Sequence, residues 1–347
     1  MVMNNSYKIQ IGLPLKNNKL KQLKSFLSKN DLTYDNNISY SVIILDNFNK
    51  IIATGSIDDN IIKCIAIDKN HRNENLTSII LTHIINESIK RNLSNLFIFS
   101  KLENEKIFNQ FGFHTIEKTN EIVLMETKKN GFSNYLKKIK KESSKYQYNK
   151  NDKIGCIIAN CNPFTNGHLY LMQEAAKNCK LLHLFILDKD NDFFTFEERF
   201  LLVKKGIKDI DNIILHKASD YILSPLTFPT YFLKDKKQTT NINCKLDIKI
   251  FLNNIVPLLN INYRYVGTEP NDLVTNSYNQ ELIKNLKDSL VNLVIIDRKN
   301  INGDIISASK VRKLIEINDL PSIKKYVPIS TYEFIKLKFF DNASSKK

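Results

Sequence analysis

The stretch from Ile154 to Asn178 constrains this chain more than any other. An apolar run (Ile154, Cys156, Ile157, Ile158) reads as a buried strand, and the Asn162-Pro163 pair stops it. Amphipathic spacing at Leu169, Met172 and Ala176 then starts a helix. Thr165 and His168 are thereby placed at a helix N-terminus, where backbone N–H groups lack partners and the macrodipole is positive. Phosphate binds well at such an end. Gly167 admits a ligand close to the backbone, and His168 can donate an imidazole hydrogen bond to a phosphate oxygen that gains charge during substitution at phosphorus.

At 347 residues the chain is long for one core, so two domains are expected. With 42% hydrophobic and 25% charged residues, and no apolar run near the length of a bilayer span, it reads as globular. The N-terminal stretch lacks an uninterrupted apolar segment followed by small residues, so no signal peptide is expected. The cysteines at 64, 156, 161, 179 and 244 form no CxxC pair and are odd in number, which suits reduced thiols in a cytoplasm. Cys179 with His183 is too small a set for zinc, and two core residues is the simpler account. The net charge of +15 is nearly all lysine, scattered over both halves without interleaved aromatics. Neither nucleic acid nor a membrane is therefore expected as a partner. Arginine occurs only at 72, 91, 199, 264, 298 and 312. Where lysine serves as the ordinary point charge, the remaining arginines are candidates for bidentate sites.

Apolar runs at 40–45, 51–57 and 61–67, separated by short polar turns, predict an antiparallel meander. A helix at 76–91, a strand at 96–99, a short helix at 103–110 and strands near 113–117 and 121–126 follow. This order, with Asn104 and Phe111-Gly-Phe113, resembles the GNAT acyltransferase fold. The family's pyrophosphate loop, [QR]-x-x-G-x-[GA], is replaced by Arg72-Asn-Glu-Asn75-Leu-Thr77. Thr77 is β-branched and crowds the N–H groups that would grip acyl-CoA. Residues 128–152, lysine-rich and nearly free of aliphatics, read as an exposed, partly helical linker. The expected division is a GNAT-like domain at 1–127, the linker, a catalytic domain at 153–340 and a tail at 341–347.

Beyond the phosphate-binding turn, strands at 181–187, 212–215, 263–266 and 293–297 alternate with helices at 196–208 and 308–317. That pattern predicts a doubly wound parallel sheet with its ligand beyond the strands' carboxyl ends. Residues 219–260 are long for a connection, and 224–235 read as a substrate-shaping insertion. Thr195 to Glu198 fits a capping box at a helix start. Gly267-Thr-Glu-Pro270 follows a strand as a turn. Ile306-Ser-Ala-Ser-Lys-Val-Arg312 offers hydroxyls and free N–H groups at a helix start and an arginine one turn on, a second phosphate cradle.

Thr165-Asn-Gly-His168 resembles the [HT]-x-G-H motif of the nucleotidyltransferase superfamily, a Rossmann-like, HIGH-type fold. Phe194-Thr-Phe-Glu-Glu-Arg199 resembles the T-x-E-E-R element of adenylyltransferases, and 306–312 the superfamily's I-S-x-[ST]-x-x-R element. With N-C-N-P-F-T-x-G-H at 160–168, T-F-P-x-Y-F at 227–232 and V-G-T-E-P at 266–270, the whole chain resembles the citrate lyase ligase family. The resemblance implies activation of acetate by ATP with Mg²⁺ to acetyl adenylate and pyrophosphate. Acetyl transfer to the prosthetic-group thiol of the citrate lyase acyl carrier subunit then follows, with no permanently bound cofactor. It makes His168 and Thr165 the catalytic residues, with Asn162, Pro163, Phe164, Gly167, Arg199, Gly267, Ser307, Ser309 and Arg312 around the nucleotide. Cys161 has no visible activating neighbour for an acyl relay. Two alternatives stay open: an adenylyltransferase acting on phosphopantetheine, and an N-acetyltransferase with a degenerate nucleotide domain.

Overall fold

A computed structural model describes residues 7–12, 15–72, 74–188, 193–223, 244–268, 273–287, 289–298, 300–301 and 304–341. The expected insertion at 224–235, the 227–232 motif and Glu269-Pro270 lie outside these residues. The chain divides into two compact units, the first holding residues 7–134 and 244–247, the second 135–223 and 248–341 of those described. No described helix is long and apolar enough to cross a membrane.

The first unit is a seven-stranded mixed sheet in the order β1-β2-β3-β4-β5-β7-β6. Its strands are β1 (Lys8–Gly12), β2 (Tyr40–Leu45), β3 (Ile51–Asp58), β4 (Ile61–Ile67), β5 (Phe97–Lys101), β6 (His114–Lys118) and β7 (Ile122–Glu126). The helices are α1 (Asn17–Lys29), α2 (Leu76–Lys90) and α3 (Glu105–Gln110). β2 is buried along its whole length because both faces of the sheet are covered. Leu23, Phe26 and Leu27 of α1 pack with Ile43 and Leu45, whereas Ile80, Leu81 and Ile84 of α2 pack with Val42 and Ile44. Continuous apolar runs, not alternation, are what a doubly covered sheet requires. β4 and β5 run parallel and pair only at Ile61–Phe97 and Ile62–Ile98. The expected order of meander, helix, strand, short helix and two closing strands is present, extended by β1 and α1. Their signals, a five-residue edge strand and a lysine-rich helix, fall below the runs that follow.

α4 (Gly131–Ser143) corrects the linker reading of 128–152. Tyr135 and Ile139 are buried, and the Tyr135 hydroxyl donates to the carbonyl of Lys217 at 3.1 Å. Phe132, Tyr135, Ile139 and Ser143 fall at three- and four-residue spacing, so four buried side chains suffice to seat a helix whose outer face is largely lysine.

The second unit is a five-stranded parallel sheet in the order β10-β9-β8-β11-β12. These strands are β8 (Ile154–Ala159), β9 (Leu181–Ile186), β10 (Ile213–Lys217), β11 (Tyr263–Gly267) and β12 (Asn292–Ile296). β8 to β10 are laid down in one direction and β11 and β12 in the other, so the order reverses beside β8. Ligands of such sheets bind at that switch point, beyond the carboxyl ends. The helices are α5 (Asn166–Lys177), α6 (Phe196–Gly206), α7 (Val256–Leu259), α8 (Leu273–Leu286), α9 (Ala308–Glu316), α10 (Leu320–Ile323) and α11 (Ile329–Ile335). Residues 244–259 are helical throughout, so the long connection expected over 219–260 contains an element of its own. One core joins Ile157, Leu182, Leu184 and Tyr265 of the sheet to Met172, Ala175 and Val203 of the helices.

A polar tier crosses one sheet face. Arg264, Cys156 and His183 are register partners on β11, β8 and β9. An Arg264 N–H donates to the Cys156 sulfur (3.2 Å), His183 Nδ1 lies 3.0 Å from His216 Nε2, and His216 Nδ1 lies 2.6 Å from Glu142 of α4. Both rings are fully buried, and burial, with the neighbouring His216, pushes His183 down to about 3. His183 is thus engaged in this tier, and the Cys179 thiol donates to Ala175 O at 3.0 Å, which answers the zinc question from their own partners.

Candidate active site

The turn after β8 and the start of α5 form the heart of the site. Thr165 is the N-cap in extended conformation, and its side chain takes the His168 N–H (3.3 Å). The Thr165 N–H in turn donates to His168 Nδ1 at 3.1 Å, and Oγ1 lies 2.9 Å from the same nitrogen. This is a capping box with histidine where glutamate usually stands. Its chemical consequence is a fixed tautomer. Nδ1 is occupied as an acceptor, so the proton of the neutral ring sits on Nε2, the edge turned away from the cap. Burial pushes the His168 pKa down to about 4, and the Arg298 guanidinium adds to the effect. At neutral pH the site therefore presents an uncharged N–H donor.

Thr165 is 1% exposed, which makes it a positioning residue for His168. Asn162 is 8% exposed, and its Oδ1 is buried without a protein partner. An orphaned amide oxygen is costly in a finished core and ordinary in a binding site. The Asn162–Pro163 peptide is cis, and Pro163 is buried.

The second cradle meets the first. Ser307 caps α9 through its side chain, which accepts from the Lys310 N–H (3.2 Å) and lies 3.1 Å from the Ser309 hydroxyl. Arg312, one turn on, donates to the Asn162 carbonyl at 2.5 Å. A Cβ built on Gly167 would lie 3.4 Å from the Ile306 carbonyl, an ordinary contact, and the Gly167 backbone is not left-handed. The protein's own packing thus does not demand glycine there. The Asn166 N–H donates to Tyr326 O (2.9 Å), tying the start of α5 to the segment after α9. Two helix N-termini 140 residues apart in sequence are thereby joined at one place. Gly267 ends β11 on the same carboxyl edge, with only Leu171 among the described residues within 4 Å of a built Cβ.

Two expected nucleotide contacts are corrected. Arg199 does not face a cleft: it is 0% exposed and donates to Asn160 O (2.6 Å), Asn160 Oδ1 (3.1 Å) and Leu187 O (3.0 Å). It braces the two chain segments that leave β8 and β9, and Thr195 starts α6 with a complete capping box. Phe164 is also 0% exposed. Its ring lies parallel to His168, centroids 6.2 Å apart, and a Cβ on Gly206 would come within 2.2 Å of it. The phenyl ring is a wedge between α6 and the catalytic turn.

Sequence reasoning missed Arg298. It follows β12 on the carboxyl edge, where its backbone N–H donates to Thr268 Oγ1 (3.2 Å) and its Nε to Thr268 O (2.6 Å). Half-buried, it supplies positive potential beside His168. The legible signal was an arginine directly after a strand in a chain short of arginine. Cys161, in contrast, is buried, and burial pushes its thiol up to about 12 despite nearby Arg199, so it is no acyl relay.

In the first unit the former pyrophosphate loop carries an acid. The Glu74 carboxylate accepts from the Tyr7 hydroxyl and lies 2.9 Å from His71 Nδ1, and these contacts hold its pKa below the usual range. Asn75, left-handed at φ 57°, caps α2 without a side-chain bond. A fixed carboxylate at this helix start opposes a bound pyrophosphate.

Comparison with known proteins bears on both units. Residues 154–335 match the family model described as citrate lyase ligase C-terminal domain. The [citrate [pro-3S]-lyase] ligase of Escherichia coli (strain K12) is 39% identical over 326 residues, 92% of this chain and 91% of that protein. The protein of the same name from Haemophilus influenzae is 35% identical over 92% of this chain and 95% of its own length. That of Klebsiella pneumoniae is 34% identical over 84% and 86%.

Proposed function

Because the chain belongs to the [citrate (pro-3S)-lyase] ligase family, we propose that its second unit activates acetate with ATP and acetylates the prosthetic-group thiol of the citrate lyase acyl carrier subunit. An acetate oxygen attacks the α-phosphorus, the bond to the β-phosphate oxygen breaks, and pyrophosphate leaves. The carrier's thiol then attacks the acetyl carbonyl of the mixed anhydride; AMP leaves, and the thiol proton passes to solvent. A carboxylate is already a competent nucleophile, so the first step needs little proton chemistry. Positioning and charge stabilisation carry it.

The observation that carries this reading is the neutral His168, its Nε2–H fixed by Thr165 at the junction of the two cradles. Such a donor strengthens its bond to an α-phosphate oxygen as that oxygen gains charge, without giving up its proton. Asn162 supplies a buried polar atom seeking a partner, and Ser307, Ser309 and Arg312 suit the β- and γ-phosphates. Mg²⁺ enters with the triphosphate and needs few protein ligands. Arg298 adds positive potential where the anionic reactants meet.

The test is ATP–pyrophosphate exchange with acetate, with phosphopantetheine and with neither. Exchange dependent on acetate supports the ligase. Product formation from phosphopantetheine alone would replace it with an adenylyltransferase. The acid at Glu74 argues against an acyl-CoA donor in the first unit.

A further inference from the structure

The second half of α4 and the turn after it present Lys137, Lys138, Lys140, Lys141 and Lys145 to solvent. The only acid between them, Glu142, keeps 34% of its side chain exposed and is bonded to the buried His216. Some exposed lysines elsewhere find acids: Lys118 with Glu105, Lys177 with Glu174, Lys217 with Glu197 and Lys284 with Glu281. On α4 the pairs Lys137/Lys140, Lys137/Lys141 and Lys138/Lys141 are neighbours at three and four residues, and such like-charge pairs repel. The helix tolerates this because Tyr135, Ile139 and the Glu142–His216 bond fasten its other face to the sheet. Proximity of lysines to a helix C-terminus explains the last turn only, not Lys137 and Lys138.

Shape accompanies the charge. Lys138, Lys141, Glu142, Lys145 and Tyr146 border a groove of about 550 Å³ whose floor is Ile213 to Leu215 of β10. Among the described residues β10 is the outermost strand of the parallel sheet. At the other end of α4, Tyr135 is bonded to Lys217, the last residue of β10, on the carboxyl edge that carries the active site. A largely basic ridge with a groove beside it, running along an edge strand of the sheet whose carboxyl end carries the site, fits a folded partner with an acidic face.

We propose that the lysine ridge of α4 and its β10 groove dock an acidic face of the acyl carrier subunit while its thiol arm enters the active site. This rests on the ligase reading and specifies how its macromolecular substrate is held. Charge on such a rim acts mainly on encounter and on salt dependence, leaving the adenylation half-reaction untouched.

The experiment uses the full chain and the purified, thiol-bearing citrate lyase acyl carrier subunit. Two activities are followed, carrier acetylation and acetate-dependent ATP–pyrophosphate exchange, as salt is raised. In K138E/K141E/K145E the KM for the carrier should rise about tenfold or more and its salt dependence should flatten, with exchange held within about twofold. Unchanged exchange shows that the variant is folded, and K138Q/K141Q/K145Q should fall between the two. The control, K21E/K24E/K29E on α1, makes the same charge change elsewhere and should leave the carrier KM in place. A wild-type chain that acetylates the carrier alongside an unimpaired K138E/K141E/K145E removes the surface alone. So does an equal loss in the α1 control. A wild-type chain that acetylates no carrier removes the ligase reading, and the surface with it.

Discussion

Replacing His168 by alanine tests the fixed-tautomer argument at its centre. If the Nε2–H is a donor to oxygens that gain charge only in the transition state, its loss costs about 3–4 kcal/mol, or roughly 10²–10³ in exchange rate, with little change in ATP affinity. The same structure sets the pH profile. With a pKa of about 4, the wild-type ring is protonated in only about one molecule in a hundred at pH 6. At its ordinary 6.5 it would be protonated in about three quarters. The kcat/KM for ATP, measured by exchange between about pH 8 and pH 6, should therefore show no His168 limb. His168→Ala should lower the profile without changing its shape. An acid limb near pH 6.5 that disappears in His168→Ala would show a ring that titrates in the working range. The neutral-donor mechanism would then be wrong.

Other residues divide the site from its scaffold. Arg312→Lys replaces a fork with a point charge and should weaken ATP binding by about 1–3 kcal/mol by titration calorimetry; an unchanged Kd would remove Arg312 from the phosphate cradle. Arg199→Met strips donors from carbonyls inside the core, so urea unfolding should show a loss of about 3–5 kcal/mol. Near-normal stability there would restore the expected nucleotide contact for Arg199. Gly206→Ala drives a methyl group into the Phe164 ring and should cost about 1–3 kcal/mol and lower exchange through the displaced His168, whereas wild-type behaviour would mean that Phe164 moves freely. For His183 the unfolded ring titrates near 6.5 and the folded one near 3, so the unfolded chain binds more protons as pH falls between them. Stability present above pH 6.5 is lost on acidification, by about 2 kcal/mol at pH 5 from this ring. His183→Leu should lose that slope in urea titrations, and parallel losses in both proteins would refute the assignment.

The parts of the fold that were legible share one property: a single local pattern decides them. Ile154 to Ala159 is apolar on both faces because helices cover both, and Thr165 could be read as a cap from its place between a Pro-stopped strand and an amphipathic run. α4 was hidden because its burial rests on four side chains among lysines, and the strand that bonds Tyr135 and Glu142 lies far away in sequence. The site shows the same divide. A helix start can be recognised from its own residues, so His168 and Ser307 were visible as cradles. Whether an arginine six or seven residues into a motif points to ligand or to core depends on acceptors elsewhere. Arg312 meets Asn162 at the catalytic turn, whereas Arg199 is consumed by the carbonyls of Asn160 and Leu187. The two arginines therefore do complementary work. Arg199 holds the ends of β8 and β9 so that the 160–165 turn keeps its shape, and Arg312 draws the second cradle onto that turn. In the proposed function, phosphate recognition depends as much on the buried Arg199 as on Arg312 at the cradle.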